Sequence, residues 1–183
     1  MFYFELGIRH ITDWQGYDHM LFLLALTLPL SFKFWKPTLK WITAFTFGHS
    51  VSLGLAATEV VKAPSEWVEF GIAVTIFITA FVHLVRGFSL GKAGSIMAGL
   101  FGLVHGLGFG SYYTFIAQSD SFWWAWLPFN AGIEVGQILV VLVLLFVYWA
   151  FQKFGGSDKA MRWVLAGATL ALSLEMILER IPQ

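Results

Sequence analysis

Long apolar runs, separated by short polar or Gly- and Pro-bearing stretches, dominate the pattern along the chain. A helix needs on the order of 20 mainly apolar residues to cross the hydrocarbon core of a bilayer. Six stretches meet or approach that length. They are residues 17–32, 40–60, 67–86, 94–117, 128–151 and 162–180. The pattern predicts an all-α polytopic membrane protein of about six transmembrane helices in a single domain, residues 1–183.

Tryptophans support these boundaries independently of hydropathy, because their amphipathic rings collect at the level of the lipid headgroups. Most of them fall near a predicted helix end. These are Trp35, Trp41, Trp67, Trp123, Trp124, Trp126 and Trp163.

Lysine and arginine are distributed unevenly between the two sides of the predicted bundle. The loops after the first, third and fifth helices hold eight of the 11 basic residues: Lys33, Lys36, Lys40, Arg86, Lys92, Lys153, Lys159 and Arg162. Basic loops stay on the cytoplasmic side. Both termini are therefore predicted to be extracytoplasmic.

Composition narrows the chemistry. The chain is 58% hydrophobic and 12% charged, so a lipid-facing exterior is expected and the lipid bilayer is its first partner. It has no cysteine, which excludes thiolate ligands, and its formal net charge of zero gives no reason to expect nucleic acid. Histidine and carboxylate side chains are then the main candidate ligands for a metal ion.

Histidines and carboxylates from several predicted helices fall between the outer edge and the midplane. His49 lies about 13 Å along the second helix, and His105 lies about as deep in the fourth, which runs in the same direction. Asp18 and His19 open the first helix from the outer side, and Glu134 lies about 9 Å below the outer edge. Ionisable groups at such depth are costly and therefore suggest function.

The mixture of imidazole and carboxylate suits divalent nickel, cobalt, zinc or iron. Glu69 enters near the outer surface. Asn130, Glu134 and Gln137 share one helical face, which could coordinate an ion or, with Ser50, orient its ligands.

Simpler interpretations remain open. A buried histidine often only links helices by hydrogen bonds, and for His49 or His105 alone we give that interpretation equal weight. Ser50 can bond to a carbonyl of its own helix. His83 lies at the cytoplasmic end, outside the layer. Glycines at four-residue spacing, at 102, 106 and 110 and at 132 and 136, indicate close helix packing.

Five ordered segments resemble the HupE/UreJ family, most closely its second branch. They are HITDWQGYDH (10–19), FTFGHS (45–50), VEFGIAVTI (68–76), FGLVHGLGFG (101–110) and FNAGIEVGQI (129–138). The resemblance implies a small polytopic protein of the bacterial inner membrane and a nickel or cobalt permease. The family's leading motif maps onto His10 and onto Gly16 to His19. The stretch between His10 and Asp18 is longer than in the best-known members, which makes His10 a weaker ligand candidate than His19.

The function expected first is binding and secondary transport of a divalent metal ion. Two alternatives stay open: a metal-dependent intramembrane hydrolase using Ser50 and Asp18, and a metal-stabilised membrane scaffold or sensor subunit. An enzyme is the less favoured class. Further partners would be a second copy of the chain or another membrane protein.

Overall fold

The computed structural model describes residues 1–28, 35–86, 93–117 and 121–183. These residues form helices and no strand. The helices are α1 (Phe2–Thr12), α2 (Asp18–Leu26), α3 (Trp35–Ala57), α4 (Ser65–Val85), α5 (Ala93–Ala117), α6 (Phe122–Lys153) and α7 (Asp158–Glu179). The all-α prediction is confirmed. We call the end of the bundle where α6 begins and where α3 and α5 end the N-terminal face.

Four helices, α4 to α7, are long and apolar enough to cross a membrane. α3 has 23 residues but is not among them, because its lysine, hydroxyl and imidazole side chains lower its hydropathy. The chain is thus an integral membrane protein. The count of six crossings and the outward termini stay predictions.

The first predicted helix, 17–32, differs most from the structure. α2 covers only its first part, and its last residues lie outside the described ranges. A helix that the pattern does not predict, α1, precedes it. The backbone of α1 packs on α6, with Gly7 against Phe129 and Gly132 against Phe4.

α2 then continues beside the next part of α6, where Leu21 and Leu24 lie near Leu139 and Val143. α1 and α2 therefore form a broken helix that runs in the direction of α6, with the break at residues 13–17. Asp18 and His19 begin α2 and follow α1, so they lie in the middle of the broken helix and not at its start. Their side chains are mostly buried.

α3 and α5 run parallel and touch through their backbones. Gly102 lies against Phe45 and His49, and Gly106 lies against His49 and Ser52, with no room for a Cβ atom at either glycine. The packing role predicted for the spaced glycines is confirmed. The contact holds His49 of α3 beside the middle of α5.

The other predicted boundaries, apart from the start of α6, differ from those of the structure by five residues or fewer. The start of α6 differs by six, because the helix begins at Phe122 and contains Pro128, which the sequence suggested as a helix start. A proline inside a helix removes one backbone hydrogen bond and crowds the carbonyl four residues earlier, yet α6 continues through Pro128 with Phe129 and Asn130 buried.

Candidate metal centre

Four histidines from four helices converge inside the bundle. His10 comes from the end of α1, His19 from the start of α2, His49 from α3 and His105 from α5. The ring centroid of His19 lies 4.5 Å from that of His10, 5.6 Å from that of His105 and 6.2 Å from that of His49. We call these four residues the histidine cluster.

Three members of the cluster have the spacing of a metal site. His10, His19 and His49 each offer a ring nitrogen, and these atoms all lie within 4.8 Å of one another. Nitrogens bound to one tetrahedral ion at about 2.1 Å are roughly 3.4 Å apart. Small side-chain movements would therefore bring all three onto one ion.

The cluster leaves buried nitrogen atoms unpaired. Nε2 of His10, His19 and His105 and both ring nitrogens of His49 have no hydrogen-bond partner among the described residues. Leaving one buried polar group unsatisfied costs about 1–3 kcal/mol. Several such atoms in one place fit a donor set that an ion would complete.

Two histidines already have their other nitrogen occupied. Nδ1 of His105 lies 2.8 Å from the carbonyl oxygen of Phe101, to which it can donate, and Nδ1 of His19 lies 3.1 Å from Oδ1 of Asp18. With Nδ1 as the donor, Nε2 presents its lone pair. Histidines that bind metals are usually held in this way by a carbonyl or carboxylate.

Asp18 supplies negative charge beside the cluster. Its Oδ2 lies 3.6 Å from Nη1 of Arg180, which follows α7, and both side chains are mostly buried. The carboxylate thus orients His19 on one side and meets a guanidinium on the other. The predicted ligand Asp18 contacts His19 but is not one of the three converging ligand groups.

Aromatic rings enclose the cluster. Phe22 and Phe45 each lie 5.1 Å from the ring of His105, and Phe109 lies 4.0 Å from the ring of His10. Phe129 stacks on Phe109 at 5.3 Å. The low dielectric of this surrounding strengthens electrostatic interactions with any ion that enters.

A second polar region joins α3 to α6, and we call it the α3–α6 seam. Three hydroxyls of α3 face three polar side chains of α6: Thr43 bonds Glu134 at 2.6 Å, Thr46 bonds Gln137 at 2.6 Å and Ser50 bonds Asn130 at 2.5 Å. The shared face predicted for Asn130, Glu134 and Gln137 is therefore the surface that meets α3. Glu134 pairs with Thr43 here and does not join the three converging histidines.

Ser50 lies in the seam. Besides Asn130, its hydroxyl lies 2.6 Å from the carbonyl oxygen of Thr46, so its partners are an amide and a carbonyl. Ser50 thus bonds neither a histidine nor Asp18, with which the hydrolase alternative groups it. The metal-activated water of that alternative would depend on the histidines and not on Ser50.

Glu69 lies elsewhere, at the N-terminal face. With Glu66, Glu179 and Arg180 it lines a cavity of about 290 Å³. His83 is fully buried near the other end of α4, beside the backbone of Leu26, and outside the histidine cluster.

Two features of the site escaped the sequence analysis. The ion pair of Asp18 with Arg180 joins residues 162 positions apart, and no local pattern marks it. His10 was ranked below His19 because of the long stretch that separates it from Asp18. The structure closes that stretch with the turn at 13–17, and His10 lies beside His19.

One of the comparisons with known proteins identifies a family for the chain. No curated protein and no solved structure matches the chain. One family model, described as HupE / UreJ protein, matches residues 1–179. That family is associated with metal transport. Because the match covers nearly the whole sequence, this chain belongs to the HupE/UreJ family.

Proposed function

We propose that the protein binds a divalent transition-metal ion as its substrate at His10, His19 and His49 and moves it across the bacterial inner membrane by secondary transport. The convergence of three histidine nitrogens within 4.8 Å carries the proposal. Neutral imidazole suits nickel, cobalt, zinc and iron, so the identity of the ion stays open among them.

His105 supplies a fourth nitrogen. Its Nε2 is unpaired, its ring lies 5.6 Å from that of His19, and its Nδ1 is held by Phe101. A site of neutral imidazoles leaves the full charge of the ion uncompensated. Asp18 offsets part of that charge through its contact with His19.

Transport requires that the site be reached from both sides of the membrane. We assign six crossings to the chain, the first made by α1 and α2 together and the others by α3 to α7, with both termini outward. Because α1 and α2 meet at the cluster, two of its four histidines, His10 and His19, come from the broken helix. A change in the angle at residues 13–17 would then loosen the site without unfolding a crossing.

Metal analysis of the purified protein tests binding. Protein purified in detergent without added metal is analysed by inductively coupled plasma mass spectrometry, and affinities for Ni²⁺, Co²⁺ and Zn²⁺ are measured by calorimetry. We expect one ion per chain. The His49→Ala variant is expected to lose it, whereas His83→Ala, which removes an equally buried histidine outside the cluster, is expected to keep it.

Transport is tested separately with the same proteins in liposomes. Uptake of the bound ion is expected for the natural chain and for His83→Ala, and not for His49→Ala. Binding without uptake would favour the scaffold or sensor alternative. Equal binding by His49→Ala and the natural chain would contradict the proposed site.

A further inference from the structure

A cavity of about 610 Å³ opens between α1 and α5 and reaches the histidine cluster. We call it the α1–α5 cleft. Its walls include Arg9, His10, Thr12 and Asp13 on one side and Phe109 and Tyr112 on the other. His10 is therefore shared between the cleft and the cluster.

The outer surface of α1 is charged although the helix lies beside a membrane-spanning one. α1 packs along residues 129–136 of α6, a helix that is long and apolar enough to cross a membrane. Yet the side chains of Glu5 and Arg9 are 62% and 75% exposed, with Oε1 and Nη2 2.7 Å apart. Hydrocarbon is a poor surrounding for such groups, so they need water or protein beside them.

The bundle surface beside α2, in contrast, is mainly apolar. The groove between α2 and α6 is lined mainly by apolar side chains, among them Met20, Leu24, Leu139 and Val143. This surface suits lipid. The charged side chains of Arg9 and Asp13 thus line the α1–α5 cleft, whereas no charged side chain is among the described residues that line the groove.

We infer that the α1–α5 cleft is a water-filled entrance through which a hydrated divalent cation reaches His10 before the other histidines. This inference rests on the proposed function. Asp13 supplies negative charge at the cleft, and the ring of Phe109, 4.0 Å from His10, forms its inner wall. The cation would exchange water for imidazole where the cleft meets the cluster.

The acidic cavity at the N-terminal face is a less suitable route. Arg180 lines that cavity and also contacts Asp18, so a guanidinium stands between the cavity and His19. Both routes contain a paired guanidinium, Arg180 with Asp18 at the cavity and Arg9 with Glu5 at the cleft. They differ because His10 itself forms part of the wall of the cleft, whereas no cluster histidine is among the described residues that line the cavity.

The chain has no cysteine, so single cysteines can report water in the cleft. Tyr112→Cys places a thiol in the cleft, and Leu100→Cys places one on the same helix facing an apolar groove. The two native side chains are nearly equally exposed, at 54% and 56%. In lipid nanodiscs without metal, a charged methanethiosulfonate reagent is expected to label Tyr112→Cys about 100-fold faster or more, because the nucleophile that attacks the reagent is the thiolate, which forms in water.

The entrance role needs a second measurement on the same variant. Once Tyr112→Cys carries a bulky label, the association rate of Ni²⁺ is expected to fall at least tenfold, while the equilibrium affinity changes less than threefold. Labelling of Tyr112→Cys no faster than of Leu100→Cys would overturn the water-filled cleft. An unchanged association rate would overturn the entrance. If the unlabelled protein binds none of Ni²⁺, Co²⁺, Zn²⁺ and Fe²⁺, the proposed function and the entrance both fail, whereas the labelling rates still decide whether the cleft holds water.

Discussion

The histidine cluster and the α3–α6 seam are neighbouring polar regions of the same bundle, yet their hydrogen bonding differs. Each hydroxyl in the seam meets a partner across the interface at 2.5–2.6 Å. In the cluster, five ring nitrogens have no partner among the described residues. A polar group inside a membrane protein must be satisfied by protein, water or ligand.

This difference distinguishes polar side chains that hold two helices together from polar side chains that are available to a ligand. The seam satisfies itself and holds α3 against α6. The cluster keeps unpaired ring nitrogens, which the proposed binding of a metal ion requires. Depth in the membrane alone, which first drew attention to Glu134 and the histidines together, does not distinguish the two regions.

Removing a cluster histidine should have the largest effect. His19→Ala deletes one converging nitrogen and the partner of Asp18, and we expect metal affinity to fall by more than about 100-fold. Thr46→Val, a change in the seam, should leave affinity within threefold. Calorimetry with Ni²⁺ and Zn²⁺ measures both. Similar losses in the two variants would contradict the comparison.

Asp18→Asn should weaken binding by about 10- to 100-fold, the range for groups that orient a metal-bound histidine. The amide keeps an oxygen near Nδ1 of His19 but loses the charge. Asp158→Asn is the matched control, since Asp158 pairs with Arg162 at the start of α7. A change below threefold for Asp18→Asn would show that the carboxylate does not support the site.

Asn130→Ala breaks the seam and should act on stability. It leaves the Ser50 hydroxyl without its amide partner, and such interhelical bonds contribute about 0.6–2 kcal/mol in membranes. Unfolding of the detergent-solubilised protein followed by circular dichroism measures this loss. Affinity for metal, measured below the unfolding transition, is expected to stay within threefold. A tenfold loss of metal affinity would show that Asn130 supports the metal site and not only the seam.

Glu134→Gln should have the smallest effect. Glutamine keeps a carbonyl oxygen that can accept from Thr43, so unfolding and metal affinity are both expected to change little, by less than about 0.5 kcal/mol. The sequence analysis proposed Glu134 as a ligand. A tenfold loss of affinity would support that assignment over the seam.

The sequence predicted what long apolar runs determine. α4 to α7 were found because each contains enough consecutive apolar residues to dominate its surroundings. α1 was missed because it has 11 residues and exposes Glu5 and Arg9. Its stability comes from the glycine contact with α6, which involves residues more than 120 positions away.

The candidate site was likewise predictable only where its position depends on counting along a helix. Counting along helices brought His49 and His105 to one depth, because the parallel direction of α3 and α5 follows from the number of crossings. It could not place His10 beside His19, since their distance depends on the break between α1 and α2. It recognised the shared face of α6 but not that hydroxyls of α3 would occupy it.

The backbone contact between α3 and α5 has a mechanical consequence. Gly102 and Gly106 contact the main chain of α3, so α3 and α5 pack closely along this contact. The contact sets the separation of His49 and His105. His10 and His19 stand on either side of a bend. An ion bound as proposed would therefore be held by two histidines whose separation the α3–α5 contact sets and by two whose separation depends on the turn at residues 13–17.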